Sequence, residues 1–196
     1  DTYSEAQLRD IARRSFEHFA QVYLVEIAMT PRLVNEWTWA RYVDLALLGD
    51  AIRPLLQQRG VLLLTAHFGT FELMGFTMAK LGFPMHAVMR PHDNPLLTDL
   101  LVRSRAAGGL ELLFKHGASA RYEEIIDAGE PLSFIADQDA GPRGVFAPFF
   151  GRAASWYKSI GLLAVYKNLP VIVGCARRIG RGFRYRIEVE RIIEPQ

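Results

Sequence analysis

The stretch Val61-Leu-Leu-Leu-Thr-Ala-His-Phe-Gly-Thr-Phe-Glu-Leu73 decides the fold of this chain. Its first half is a short, nearly unbroken apolar run, which is typical of a strand buried on both faces of a parallel sheet. From Phe71 onward the apolar residues follow a helical spacing instead of alternating. The stretch therefore predicts a strand, a bend at Gly69 and a helix. His67 falls at the carboxyl end of the strand, the edge where open α/β sheets bind their ligands.

The spacing between His67 and Glu72 restricts how these side chains can interact. On a continuous helix five residues turn through about 500°, so the two side chains would point about 140° apart. Contact requires a bend between them, which Gly69 permits. A carboxylate that holds one imidazole nitrogen makes the other a general base for an alcohol. The structural alternative is that Glu72 is an acid near the positive end of a helix and His67 a strand-end histidine.

Composition indicates one globular domain. The chain has 196 residues, of which 50% are hydrophobic, enough for a single α/β domain over residues 1–196. A net charge of +2 is too small to indicate a nucleic-acid partner. No run of about 18 apolar residues predicts a membrane span. Because the sequence starts at Asp1, an anchor outside it remains an alternative.

Apolar runs, and the capping, Pro and Gly residues between them, divide the chain into a helical lead-in, residues 1–58, and an α/β core, residues 59–196. Ser4 predicts a helix N-cap and Pro31 the start of a second helical piece. Asn94 and Pro95 predict the start of a core helix, and Ser155 the cap of another that reaches about residue 166. Further strands are predicted at residues 84–89, 110–114, 131–136, 145–150, 169–176 and 183–189.

Polar residues follow two of these strands. Arg90 and Asn94 come after the strand at 84–89, and an arginine there can hold a phosphate bidentately. Asp137 and Asp139 follow the central strand at 131–136. These acids can orient His67, pair with arginines or bind a metal. The metal is disfavoured because no further ligands have a recognisable spacing.

Four blocks of sequence, taken in order, resemble one family. They are His67-x4-Glu72 within residues 66–72, Met-Arg-Pro-His-Asp-Asn-Pro-Leu-Leu at 89–97, Ala-Asp-Gln-Asp-Ala-Gly-Pro at 136–142, and Ala-Pro-Phe-Phe-Gly-Arg at 147–152. Together they resemble the lipid A biosynthesis acyltransferases, the lauroyl and myristoyl enzymes within the wider His-x4-Asp/Glu glycerolipid acyltransferases. The similarity runs from about residue 8 to the end of the chain.

The resemblance implies a fold and an activity. The fold is α/β and glycerol-3-phosphate acyltransferase-like, with a mixed, mostly parallel central sheet flanked by helices. The activity is O-acyl transfer, without cofactor or metal, from a thioester of acyl carrier protein or coenzyme A to a phosphorylated glycolipid, a lipid A precursor. The setting is the membrane surface, with peripheral or anchored attachment at the cytoplasmic face of the inner membrane.

The resemblance also assigns expected roles. His67 is the general base and Glu72 and Asp137 are the supporting acids, although which acid contacts His67 stays open. Four residues are expected on the substrate side: Arg90, Asn94, Asp139 and Arg152. Of these, the two arginines are candidates for the acceptor phosphates. An acceptor such as a phosphatidylinositol mannoside or a lysophospholipid is an alternative, as is a non-catalytic lipid-binding domain.

Two further segments have open interpretations. Phe146, Phe149 and Phe150 are predicted either to line an acyl-chain tunnel or to pack in the core. The predicted hairpin near the end of the chain carries five arginines: Arg177, Arg178, Arg181, Arg184 and Arg186. It is either a solvated sheet edge or a basic strip for anionic head groups or an acidic carrier protein.

Overall fold

The structure is a computed structural model that describes residues 3–114 and 119–195. These residues contain nine strands. They are β1 (Val43–Leu47), β2 (Val61–Thr65), β3 (Met85–Met89), β4 (Leu110–Phe114), β5 (Pro131–Ile135), β6 (Val145–Phe149), β7 (Arg152–Trp156), β8 (Val171–Arg178) and β9 (Tyr185–Ile193). Seven of them form one sheet in the order β1-β9-β8-β2-β5-β3-β4. Only the pairing of β8 with β9 is antiparallel in this sheet. The predicted α/β class with a mostly parallel mixed sheet is therefore confirmed.

Helices cover both faces of this sheet. They are α1 (Glu5–Ala20), a π-helical turn (Gln21–Glu26), α2 (Ile27–Leu33), α3 (Trp39–Tyr42), a 3-10 turn (Gly49–Ala51), α4 (Ile52–Leu56), α5 (Phe71–Lys80), α6 (Pro95–Gly108), α7 (Ser119–Asp127) and α8 (Lys158–Tyr166). Side chains of α4 and α5 pack on one face and those of α7 and α8 on the other. The result is a three-layer arrangement around the sheet.

The unbroken apolar run of β2 follows from its central position. Leu62 is fully buried among side chains from α7 and α8, while Leu63 packs with side chains from α4 and α5. Because successive strand residues point to opposite faces, both parities must be apolar when both faces are covered. The two-faced burial predicted from the sequence is confirmed.

The helical prediction for residues 4–58 is wrong in two places. Val43–Leu47 forms the edge strand β1, which pairs in parallel with β9, so the lead-in contributes to the sheet of the core. Val43 is buried, and Asp44 accepts a hydrogen bond from Arg186 of β9 at 2.8 Å. Pro31 lies inside α2 and starts no new helix. Ser4 caps α1 as predicted.

The predicted helix cap at Ser155 is also wrong. Ser155 lies in β7, which pairs with β6 in a separate two-stranded hairpin. Its hydroxyl donates to the carbonyl of Gly141 at 2.5 Å, and α8 begins only at Lys158. The other predicted core elements are present. The helix α7 is described from Ser119, and residues 115–118 lie outside the described residues.

The sheet positions the site at one edge. Because β2, β5 and β3 are parallel neighbours, their carboxyl ends meet at the same edge. β2 and β5 pair over five positions, but β5 and β3 pair only at His86↔Leu132 and Ala87↔Ser133. The last residues of β3 and β5 are therefore not paired with each other.

Candidate active site

The corner between β2 and α5 is fixed by Gly69. Its φ is +62°, and a Cβ placed there would lie 2.0 Å from the carbonyl oxygen of Ala176 in β8. Only glycine tolerates this approach. The next residue, Thr70, donates its backbone N–H to the same carbonyl at 2.8 Å. The bend predicted at Gly69 is thus confirmed, and it is fastened to the neighbouring strand.

Asp137 is the acid that contacts His67. Its Oδ1 lies 2.7 Å from His67 Nδ1, and its Oδ2 accepts the backbone N–H of His67 at 2.8 Å. Asp137 follows β5 directly, and the register of β5 with β2 brings the two strand ends together. The two carboxylate oxygens therefore hold both the ring and the backbone of His67.

This contact determines the tautomer of His67. An ionised carboxylate only accepts hydrogen bonds, so a neutral imidazole in this contact carries its proton on Nδ1 and has its lone pair on Nε2. The His67 side chain is 20% exposed, and its ring meets the edge of Phe71 at a centroid distance of 5.0 Å. Phe71 in turn contacts Tyr23 of the π-helical turn at 6.3 Å. The imidazole is thus held on one side by a charge and on another by aromatic packing.

Glu72, the other candidate for this contact, is paired instead with Arg105 of α6. Arg105 Nε donates to Glu72 Oε2 at 2.7 Å, and its Nη2 donates to Oε1. Their side chains are 13% and 10% exposed, so this is a largely buried ion pair. Burial opposes the charge on Arg105, but the hydrogen bond and charge of Glu72 outweigh it and raise the pKa of the guanidinium.

Sequence reasoning missed Arg105, although a signal was present. Leu101 and Gly108 are the buried residues of α6, and Arg105 lies on the same helical face at spacings of four and three. A cation on a buried helical stripe requires an anionic partner. The acid at the start of α5 was an available candidate.

Breaking this ion pair is expected to destabilise the protein. In Glu72→Gln the buried guanidinium loses its anion, and the free energy of unfolding should fall by about 3 kcal/mol. Urea unfolding of Glu72→Gln, Arg105→Gln and the double variant measures the coupling. The double variant should lose clearly less than the sum of the single losses. If the two single losses in the free energy of unfolding simply added up in the double variant, the ion pair would not stabilise the protein.

A cavity of about 790 Å³ opens beside His67. Its volume is within the range of about 300–1,000 Å³ that is typical of small-molecule sites. Polar side chains line one part of it, namely His67, Glu72, Arg90, Arg105, Gln138 and Asp139. The part between α5, α4 and the sheet is apolar, and its lining includes Leu55, Leu63, Met74, Met78, Met85 and Leu110. His67 therefore lies beside a cavity that is largely apolar.

The structure separates the remaining predicted site residues into two groups. Arg90 and Asp139 line the cavity. Arg90 is 81% exposed and lies 4.0 Å from Asp93, which leaves its guanidinium available to a ligand. Asn94 and Arg152 are not among the lining residues. The side chain of Asn94 caps α6 by accepting the N–H of Leu96 at 2.9 Å, and Arg152 stands at the tip of the β6–β7 hairpin.

The core interpretation of the phenylalanines near residue 150 is wrong. Phe146, Phe149 and Phe150 are 62%, 49% and 93% exposed, so they are not core residues. None of the three lines the 790 Å³ cavity, but Phe146 and Phe149 line a second cavity, of about 590 Å³, together with Asp137 and Asp139. The tunnel interpretation of these two residues stays a prediction. They belong to the β6–β7 hairpin, which stands apart from the main sheet.

The five arginines of the β8–β9 hairpin do not form one uninterrupted basic strip. Arg177 pairs with Glu188, Arg178 with the buried Glu26, and Arg186 with Asp44. Glu26 and Asp44 come from the lead-in, and Glu188 lies in β9 of the hairpin itself, so the run of basic residues overstated the charge. Arg181 and Arg184 are exposed at the turn.

A histidine held by a carboxylate, at the end of a strand and beside a large, mostly apolar cavity, is an arrangement that can serve as a general base for an alcohol. A family profile described as bacterial lipid A biosynthesis acyltransferase matches residues 2–194. The chain therefore belongs to the bacterial lipid A biosynthesis acyltransferase family.

Individual relatives agree with this assignment. The chain is 32% identical over 120 residues to the lipid A biosynthesis palmitoleoyltransferase of Escherichia coli (strain K12), covering 58% of this chain and 39% of that protein. It is 29% identical over 153 residues to the lauroyltransferase of the same organism, covering 75% and 47%. It is 28% identical over 145 residues to a lipid A biosynthesis acyltransferase of Haemophilus influenzae, covering 70% and 45%. The chain thus matches less than half the length of these curated relatives.

Among the described residues, no helix combines the length and the apolar character needed to cross a bilayer.

Proposed function

We propose that this protein transfers a fatty acyl chain from an acyl-thioester to a hydroxyl of a lipid A precursor, with His67 as general base. The observation that carries the proposal is the 2.7 Å contact between Asp137 and His67 Nδ1 beside the cavity. The thioester is one of acyl carrier protein or coenzyme A. Membership of the lipid A acyltransferase family supports both substrates.

The proposed reaction begins when His67 Nε2 takes the proton of the acceptor hydroxyl. The alkoxide oxygen attacks the thioester carbonyl carbon, forming the C–O bond and a tetrahedral oxyanion. When this intermediate collapses, the C–S bond breaks, and the leaving sulfur receives the proton from His67. Asp137 stabilises the imidazolium between these two proton transfers. The products are the ester and the free thiol, and no covalent enzyme intermediate is required.

The polar part of the cavity suits an anionic acceptor. Arg90 stands in the lining with most of its side chain exposed, and its planar guanidinium matches a phosphate group. The partner Arg105 is already neutralised by Glu72. We therefore assign acceptor phosphate binding to Arg90. The acceptor is a membrane lipid, and we place the protein at the cytoplasmic face of the inner membrane.

The apolar part of the cavity suits the acyl chain. Four of the five methionines of the protein line it: Met74, Met78, Met85 and Met89. Methionine side chains are flexible and adapt to irregular apolar ligands. The cavity runs from Glu72 in the first turn of α5, past Gly75, to Met78 one turn further. The floor of this part is formed by Leu63 and Ala87 of the sheet.

Gly75 is expected to limit the length of the acyl chain. It sits inside α5, where glycine costs about 1 kcal/mol relative to alanine. A Cβ there would meet Leu110 at 3.5 Å, which is ordinary contact, so a side chain is sterically possible and would extend into the cavity. Gly75→Met should lower kcat/KM for the longest accepted donor by about tenfold or more and leave shorter donors nearly unaffected. A series of acyl-thioesters of increasing length measures this change.

Gly161 provides a matched control for this experiment. It is also a glycine inside a helix, α8, and no atom lies within 4 Å of a Cβ placed there. It does not line the cavity. Gly161→Met should leave the chain-length profile unchanged. If Gly75→Met keeps the wild-type profile, the acyl chain does not occupy this part of the cavity.

Lipid analysis tests the proposed substrates. Mass spectrometry of lipids from cells that lack the protein and from cells that regain it should show one lipid A species gaining the mass of one acyl chain. A gain on a phosphatidylinositol mannoside or a lysophospholipid instead would replace the acceptor. No acylated product in any lipid class would favour the non-catalytic lipid-binding alternative.

A further inference from the structure

The charge distribution along the chain changes sharply after Asp139. Residues 140–187 contain no Asp or Glu but nine Lys and Arg. Four of these cations pair with acids from outside the segment: Lys167, Arg177, Arg178 and Arg186. Arg143, Arg152 and Lys158 are exposed, and none forms an ion pair with another described residue. Of these three unneutralised cations, Arg152 lies in the β6–β7 hairpin, Arg143 two residues before it and Lys158 two residues after it.

The β6–β7 hairpin, residues 145–156, exposes an unusual amount of apolar surface. Val145 is 52% exposed. The three phenylalanines of the hairpin, Phe146, Phe149 and Phe150, are 62%, 49% and 93% exposed. Phe149 contacts both Phe150, at 4.6 Å between ring centroids, and Trp156, at 5.3 Å. The hairpin therefore presents a small aromatic cluster to solvent. Exposed apolar clusters of this kind mark interaction surfaces.

The residue at the tip is unfavourable for the turn itself. Phe150 and Gly151 form the two-residue loop, and both have positive φ, +48° and +76°. Turns of this type strongly prefer Asn-Gly, because asparagine tolerates the left-handed conformation better than a bulky residue. A phenylalanine here strains the backbone and exposes its ring. Its presence is explained if the ring is buried in a partner.

The hairpin is hydrogen-bonded to residues 139–141, in the loop that follows β5. The Ser155 hydroxyl donates to Gly141 at 2.5 Å, and the N–H of Ala140 donates to the Ser155 carbonyl at 3.2 Å. Gly141 also donates its N–H to Asp139 Oδ1 at 3.0 Å. The loop begins with Asp137, the partner of His67. Whatever binds the hairpin tip is therefore placed at a fixed position relative to the general base.

We propose that residues 145–156 form a membrane-docking element whose aromatic tip inserts into the surface of a bilayer that contains anionic lipids. The phenylalanine rings enter the apolar boundary, while Arg143, Arg152 and Lys158 contact the head groups. This docking would bring the cavity to the plane from which a lipid acceptor enters. The inference rests on the proposed function only for the identity of that acceptor.

An acidic carrier protein is the competing partner for the three cations. Charge alone would suit both partners, but the position of the rings favours the bilayer. Phe150 is 93% exposed in the turn at the tip of the hairpin, where its ring is free to enter a lipid surface. Its large apolar side chain gains most from transfer to an apolar phase.

Vesicle binding tests this proposal with Phe150→Asn as the main variant. The substitution creates the Asn-Gly sequence that this turn prefers, so the fold should be retained or stabilised. Co-sedimentation with phosphatidylglycerol–phosphatidylcholine vesicles should show binding of the wild type and at least about tenfold weaker binding of Phe150→Asn. Arg143→Gln should weaken binding by about fivefold, and added salt should weaken the wild type.

The matched control is Leu56→Asn, which removes another exposed apolar side chain, 67% exposed, just before the amino end of β2. It should bind vesicles as the wild type does. Equal vesicle binding by the wild type and Phe150→Asn would overturn the proposal, as would no binding by the wild type. The proposal would also be overturned if Phe150→Asn kept its affinity for vesicles but no longer bound acyl carrier protein. Vesicle binding needs no acyl transfer, so failure of the proposed activity would be seen separately.

Discussion

Replacing His67 by alanine is expected to lower kcat for acyl transfer by about a thousandfold or more, because a positioned general base contributes about 10²–10⁴-fold. The imidazole is the group that Asp137 holds at 2.7 Å beside the cavity. Release of the free thiol from the acyl-thioester, measured in the presence of the acceptor lipid, gives the rate. Binding of the acceptor should change little, since the loss belongs to the transition state.

His92 supplies the control for this variant. It is an exposed histidine that also lines the cavity, and no role is assigned to it. His92→Ala should stay close to the wild-type rate. If both histidine variants retain the wild-type rate, His67 has no part in the mechanism, whereas similar large losses in both would point to a general effect on the cavity.

Asp137→Asn is expected to be nearly as damaging. The carboxylate fixes the proton on Nδ1, whereas an amide nitrogen placed there donates to Nδ1 and moves the ring proton to Nε2. That tautomer cannot accept a proton from the alcohol. An acid-to-amide change in the catalytic triad of serine proteases lowers kcat by about 10⁴ for this reason. We expect a loss of about a thousandfold in kcat, measured by the same thiol release.

Glu72→Gln separates the two acids. Glu72 contacts Arg105 and not His67, so this variant should lose stability more than it loses kcat at a temperature where it remains folded. A loss in kcat for Glu72→Gln that matched or exceeded that of Asp137→Asn would reassign the orienting role to Glu72.

Much of the fold could be predicted because its central strands have strong local patterns. β2 is an unbroken apolar run since both of its faces are covered, and Gly69 marks the bend because no side chain fits against Ala176. The N-caps at Ser4 and Asn94 depend on contacts within a few residues. Each of these features is determined by neighbours in sequence or by burial on both sides.

The errors concern features that strand pairing determines. Val43–Leu47 becomes a strand only because β9 lies alongside it, and Asp44 finds Arg186 across that pairing. Ser155 lies in a strand because β7 pairs with β6 across a two-residue turn. Local propensity is a weak guide in such segments, since tertiary pairing overrides it.

The sequence predicted which residues belong to the candidate site better than it predicted which of them contact each other. His67, Glu72 and Asp137 all lie at the carboxyl edge, but their spacing does not reveal which acid meets the imidazole. That choice depends on the register of β5 against β2 and on Arg105, which draws Glu72 towards α6. The partner of a charged side chain is a property of the assembled sheet and helices.

The central claim is that His67 activates a lipid hydroxyl for attack on an acyl-thioester. The most direct measurement is the mass of a lipid A precursor after incubation with acyl carrier protein thioester and either the wild type or His67→Ala. The wild type should add the mass of one acyl chain, and the variant should leave the precursor unchanged over the same time. An unmodified precursor with the wild type, or equal acylation by both proteins, would contradict the claim.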